Sequence, residues 1–122
     1  MRYLAYTIGD DTQAAPPPTP EMMARMGEFM AEATAKGALV ATGGLTSSAE
    51  GITVRVAPDG TFSAVDGPYT EAKELIGGWA LLEVASREEA IEWAERFLRI
   101  AGAGESRLRR VPGPEDFGPP RG

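Results

Sequence analysis

The 122-residue chain contains neither cysteine nor histidine. Lacking cysteine, it has no disulfide framework and no thiolate chemistry. Lacking histidine, it is without the commonest general base near neutral pH and the commonest nitrogen ligand for metals. Long apolar runs are missing too, for nothing approaches the roughly 20 residues that a membrane helix needs. The opening "MRYLAYTIGD" is too short and too polar for a secretory leader and reads as a strand, so the expected compartment is the cytoplasm. Positive charge is the minority: 12 Lys and Arg face 18 Asp and Glu, a net charge of −6. An acidic surface repels phosphate backbones, which argues against nucleic-acid binding as the main role.

What is present suits one globular domain. Hydrophobic residues make up 43% and charged residues 25% of the chain. A chain of this length buries roughly 65% of its unfolded surface, enough for a core without staples. Arg2 to Ile8 is rich in strand formers, and the proline-rich "GDDTQAAPPPTP" that follows excludes regular structure. A helix is expected to start at Thr19-Pro20, with Thr19 as its cap. Met22, Met26, Phe29, Met30 and Ala33 give its apolar stripe and Gly37 its stop. "ALVATGGL" reads as a strand ending in a Gly43-Gly44 turn. Ile52, Val54 and Val56 alternate with Thr53 and Arg55 as a half-buried strand, and "PDG" at 58–60 turns it back along residues 61–65. "LIGGWALLEVA" is apolar nearly throughout and reads as a central strand. Ser86 and Glu89 form a capping box before a helix with Ala90, Ile91, Ala94, Phe97, Leu98 and Ala101 on its apolar face. "ESRLRRV" is a last strand, followed by a Pro/Gly-rich tail over residues 112–122.

Two β-α-β halves on one mostly antiparallel sheet describe an α+β, ferredoxin-like sandwich with an inserted β-hairpin. Two helices cover one face of such a sheet. A second copy of the sheet is the simplest cover for the other, so a homodimer is expected.

"DGPYTEAKELIGGWALLEV" resembles the signature of YCII-related proteins of the DGPF type. "MRYLAYTIGD", "GALVATGGLTSSAEGITVRV" and "REEAIEWAERF" extend the resemblance over residues 1–111. The resemblance implies a dimeric α-β barrel. It also implies kinship with lyase- or dehalogenase-like enzymes acting on small aromatic compounds, and a possible association with extracytoplasmic-function sigma factors. A site proposed for the wider family pairs a histidine with an aspartate, and this chain has no histidine to supply. Where the family's closing strand carries a glutamate, this chain has Arg107, Arg109 and Arg110.

Asp66 invites two readings: an Asx-type turn that orders the loop, or a general base in a cleft. Glu71, Lys73 and Glu74 are too close in sequence to share one face. Lys73 is the best candidate to hold a carboxylate or enolate, if partly buried beside Asp66 or Glu71; left at the surface it makes only a weak ion pair. Arg55 is either a solvated charge or a carboxylate clamp. Gly67, in the turn, and Gly78 are candidate ligand-binding positions. Gly77 and Gly78 interrupt a strand and point to a bulge, a close backbone approach, or room for a ligand. Trp79 reads as core or interface. The methionine stripe reads as packing, "GDD" at 9–11 is too sparse for a metal loop, and no cofactor motif occurs.

Three functions are therefore open. The first is a homodimer binding a small polar or aromatic metabolite near the "DGPYTEAKE" turn. The second is a cofactor-free lyase, isomerase or hydrolase with Asp66 as base. The third is a protein-interaction module linked to a sigma factor, which requires an exposed apolar patch.

Overall fold

The computed structural model describes residues 1–9, 17–67 and 75–117. In chain order they form β1 (Arg2–Gly9), α1 (Pro20–Ala35), β2 (Leu39–Gly44), a short 3-10 turn (Ser48–Glu50), β3 (Ile52–Val56), β4 (Phe62–Asp66), β5 (Leu75–Glu83), α2 (Arg87–Ala101), β6 (Glu105–Val111) and a 3-10 turn (Pro114–Phe117). Four strands make one antiparallel sheet in the order β2-β5-β1-β6, and β3 and β4 pair separately as a two-stranded ribbon. This is the ferredoxin-like α+β arrangement with the hairpin inserted between its halves.

Local chemistry sets the element ends. Thr19 caps α1, its hydroxyl accepting from the Met22 N–H at 3.1 Å, and Pro20 takes the first helical position. Past the C-terminus of α1, Gly37 takes φ +72°, a conformation that costs a side-chain-bearing residue about 1 kcal/mol. Ser86 caps α2 by accepting from the Glu89 N–H at 3.1 Å, while the Glu89 carboxylate accepts from the Ala85 N–H at 2.7 Å. The box thus reaches back one residue further than its usual form. At the ribbon tip, Asp59 accepts from the Thr61 N–H and Gly60 turns the chain at φ +88°.

Residues paired across antiparallel strands share a face of the sheet. Tyr3, Ala5 and Thr7 of β1 align with Leu82, Ala80 and Gly78 of β5 and with Arg110, Leu108 and Ser106 of β6. This is the helix-covered face: Ala5 and Leu82 lie in the core with Phe29, Ala33, Ala38, Val84, Ala90 and Trp93. Trp93, only 8% exposed, stacks on Phe29 with ring centroids 5.6 Å apart and so joins the two helices. The spacing of the second helix's small and aliphatic residues passes over this tryptophan, although it is the largest side chain in the core.

The opposite face carries Leu4, Tyr6 and Ile8 beside Leu81, Trp79 and Ile76, bordered by Arg107 and Arg109. Trp79 therefore stands outside the helix-covered core. Its indole lies over Gly43, where a Cβ would come within 3.1 Å of the ring, so the glycine lets the ring lie closer than a larger residue would without displacing it.

The expectation of a half-buried β3 is corrected by the structure. Ile52, Val54, Val56 and Phe62 are all at least 58% exposed. The ribbon pairs with itself and makes no extended contact with the four-stranded sheet or either helix. Alternation correctly marks a strand with one apolar face; it does not supply a surface to bury that face against.

Candidate functional site

A cleft of about 140 Å³ opens between the sheet and the two helices. Its origin lies in side-chain size. Toward the β2–β5–β1 core, Leu39, Leu82 and Tyr3 fill the space under the helices. Further along the same face the sheet offers only Ala5, Ala80 and Gly78. The helices supply Phe29, Ala33, Trp93, Ala94 and Phe97 above them. Small residues below and rigid rings above leave a gap that neither can close.

The lining is predominantly apolar, and among the described residues it holds no charged side chain. Polar groups gather on the Gly78 side. Thr7 Oγ1 accepts from the Gly78 N–H at 3.0 Å, and the Thr42 hydroxyl donates to the Trp79 carbonyl at 2.8 Å. Ser106, on the row of Thr7, completes the edge. Each threonine hydroxyl keeps hydrogen-bonding capacity: Thr7 an O–H to donate, Thr42 a lone pair to accept. The cleft shares Ala94 and Ser106 with a shallower groove between α2 and β6.

Arg96 braces the aromatic wall from outside. Its guanidinium lies 4.8 Å from the Trp93 ring centroid and 5.1 Å from that of Phe29, and it donates to the Glu32 carboxylate on α1. That hydrogen bond holds the Glu32 carboxyl below its usual range and raises Arg96. The pair is solvent-exposed, so its contribution is to hold the two rings in place more than to add stability.

The residues singled out from the sequence separate in space. Gly78 lines the cleft. The glycine pair forms a bulge, with Thr7 opposite Gly78 and Ile8 opposite Ile76, so that Gly77 is the extra residue. The freed Gly77 carbonyl accepts from the Leu45 N–H at 2.8 Å. Gly67 follows the ribbon at φ +113° and donates its N–H to the Gly51 carbonyl. Asp66 is exposed at the foot of β4 opposite Ile52, and Arg55 is exposed opposite Ser63 on the other face of the ribbon. Neither lines the cleft, and the two side chains leave the ribbon on opposite sides. Glu71 and Lys73 lie outside the described residues. Among the described residues no cluster of acidic side chains could hold a metal, and no helix is long and apolar enough to cross a membrane.

Sequence reasoning missed Phe29, Trp93, Phe97, Thr7, Thr42 and Ser106 as members of one site. Their only signal was a row of small residues at alternate positions of β5 facing aromatic residues on two helices.

An α+β sandwich with a cleft between sheet and helices is the class that fold and site define. Residues 1–111 match the YCII-related domain, and the chain belongs to that family. Among solved structures the chain is similar to 5-chloro-2-hydroxyhydroquinone dehydrochlorinase (TftG) from Burkholderia phenoliruptrix AC1100, in complex with 2,5-dihydroxybenzoquinone. The identity is 15% and the TM-score 0.44, over 95% of this chain and 98% of the other. No curated protein matches the chain.

Proposed function

We propose that this YCII-related protein, of the DGPF type, binds a small single-ring aromatic molecule carrying a hydroxyl or carbonyl group. The carrying observation is the cleft itself: about 140 Å³, apolar, with hydroxyls along one edge. A dry cavity of about 150 Å³ accepts benzene, so the volume suits one six-membered ring and is tight for two fused rings. Of the two ligand classes open from the sequence, the apolar lining favours the aromatic one. Thr7, Thr42 and Ser106 supply the few polar contacts that orient a ligand in an otherwise apolar pocket. The cleft and the "DGPYTEAKE" segment are linked through the chain: that segment runs directly into β5, which carries Gly78 and Ala80. Lys73 and Glu71 are the candidates to extend the polar edge. The enzymatic alternative assigns a base to Asp66, whose position on the exposed ribbon gives that role no support from the cleft.

The test is a thermal-shift and calorimetric titration with phenol, cyclohexanol, benzoate and 2-naphthol. Phenol should bind, 2-naphthol should bind more weakly for want of room, and benzoate should bind more weakly than phenol because its charge meets an apolar lining. Equal binding of phenol and 2-naphthol, or binding of none of the four, would refute the proposal.

A further inference from the structure

The cleft is not closed at its β6 end. Beyond Ala94 and Ser106, which line both spaces, it runs on into a groove of about 450 Å³ between α2 and β6. Both residues at the junction are small, which keeps the passage open. The floor of the groove is apolar. Ile91 and Leu98 line it from α2, at the helical spacing that puts them on one side with Ala94, and Leu108 lines it from β6. Ile91 is 42% exposed, so the fold itself leaves this aliphatic side chain half bare. Glu95 and Arg99 also line the groove and form an ion pair with each other, so their charges are answered without a ligand.

The hydroxyls of the cleft are spread across the sheet. Thr42 stands on β2 at one edge and Ser106 on β6 at the other, in the strand order β2-β5-β1-β6. Three strand spacings of about 4.8 Å put those edges about 14 Å apart. The Thr42 hydroxyl gives its proton to the Trp79 carbonyl at 2.8 Å and keeps a lone pair, which suits the O–H of a phenol. A ring anchored there lies over Ala80 and Ala5, the small residues of β5 and β1. It reaches only part of the way to β6. A substituent para to the hydroxyl then points at Ser106 and into the groove.

We infer that the site takes a phenol with an uncharged, unbranched alkyl chain at the para position, the ring in the cleft and the chain in the α2–β6 groove. The inference rests on the proposed binding of a single-ring aromatic molecule and adds what that ring carries. An apolar floor calls for hydrocarbon. A chain ending in a charge would have to disturb the Glu95–Arg99 pair.

Calorimetric titration of the full chain with phenol, 4-butylphenol and 2-butylphenol tests it. A fully buried methylene strengthens binding about fourfold, and one lying in an open groove about twofold. Four carbons should therefore make 4-butylphenol about 15-fold tighter than phenol. The ortho isomer carries the same hydrocarbon in the wrong direction and should gain less than about threefold. Ile91→Glu, at an exposed helix position, should cut the ratio of 4-butylphenol to phenol affinity to below about fourfold, because the chain then meets a carboxylate. A second measurement needs no variant: in NMR spectra of the wild-type complex, the terminal methyl of the chain should give NOEs to the methyls of Ile91 or Leu98. Failure of phenol itself to bind would overturn the ring's site and this inference together. Phenol binding with equal gains from the two isomers, a folded Ile91→Glu with an unchanged ratio, or a complex without those NOEs would overturn the inference and leave the ring's site standing.

Discussion

Replacing Ala80 with leucine distinguishes an open cleft from a close-packed core. Ala80 lies on β5 between Ala5 and Thr42, beneath the aromatic residues of both helices. Leucine adds three carbon atoms, about half a benzene ring, to a space that holds one ring. In a close-packed core such an addition costs about 1–3 kcal/mol through strain. Here the new carbons enter space that already exists, and burying them returns up to about 0.8 kcal/mol each. The two effects nearly cancel, and the net change should stay within about 1 kcal/mol. With an unfolding entropy of about 2.1 cal/mol/K per residue, this chain's melting temperature should move by no more than about 4 °C. Ligand binding should respond very differently. Phenol at about 100 times its dissociation constant adds roughly 2.7 kcal/mol to wild type, or about 10 °C, and should add almost nothing to Ala80→Leu. Calorimetric melts of both proteins with and without phenol decide the matter. A variant that keeps the full phenol-induced shift would refute the placement of the site. One that melts more than about 10 °C early would refute the existence of the gap.

Two further outcomes follow from the packing and the tail. Trp93→Ala removes a ring that is 8% exposed and stacked on Phe29, and should cost about 4 kcal/mol, lowering the melting temperature by about 15 °C; a circular-dichroism melt lowered by less than about 5 °C would contradict its place in the core. Hydrogen bonds from Arg110 and from the Gly113 N–H hold the Asp116 carboxyl at about 2, below its ordinary 3.8. Because the folded value is depressed, this contact's contribution is complete above the ordinary value and fades as pH falls through about 2. NMR should show the Asp116 carboxyl and the Gly113 amide titrating together with a midpoint near 2, and a midpoint near 3.8 would show that the contact does not form in solution.

Much of the fold was legible because its signals are local. Thr19-Pro20, Ser86 with Glu89, and Asp59-Gly60 each act within four residues, so sequence spacing alone locates them. Gly77-Gly78 left a bulge, a close backbone approach and room for a ligand open, and the register shift opposite Thr7 and Ile8 shows the bulge. The site was less legible. The gap is a property of Ala5 and Ala80 facing Phe29 and Trp93, residues brought together only by the sheet order and the helix crossing. Charge drew attention to Asp66 and Arg55, yet both stand on the ribbon, where charge is simply the cheapest thing to expose. Among the described site predictions, Gly78 is the one that coincides with the cleft lining, and it was chosen for its backbone and not its chemistry. The ribbon's exposure was illegible for another reason: alternation reports that a face is meant to be covered, without saying by what.

The sheet order β2-β5-β1-β6 also governs how the chain is made. β1 precedes the other described elements in the chain, and both of its neighbours, β5 and β6, come from the second half of the sequence. Its two edges are not both paired until residues 75–111 have left the ribosome, so the four-stranded sheet closes only after most of these elements have emerged. The β3–β4 ribbon, whose pairing is wholly local, can form within microseconds of emerging. The peripheral arm can therefore pair while the strand at the centre of the sheet still waits for its partners. A nascent chain in that interval has bare strand edges beside an apolar ribbon, the state in which this protein is most exposed to aggregation.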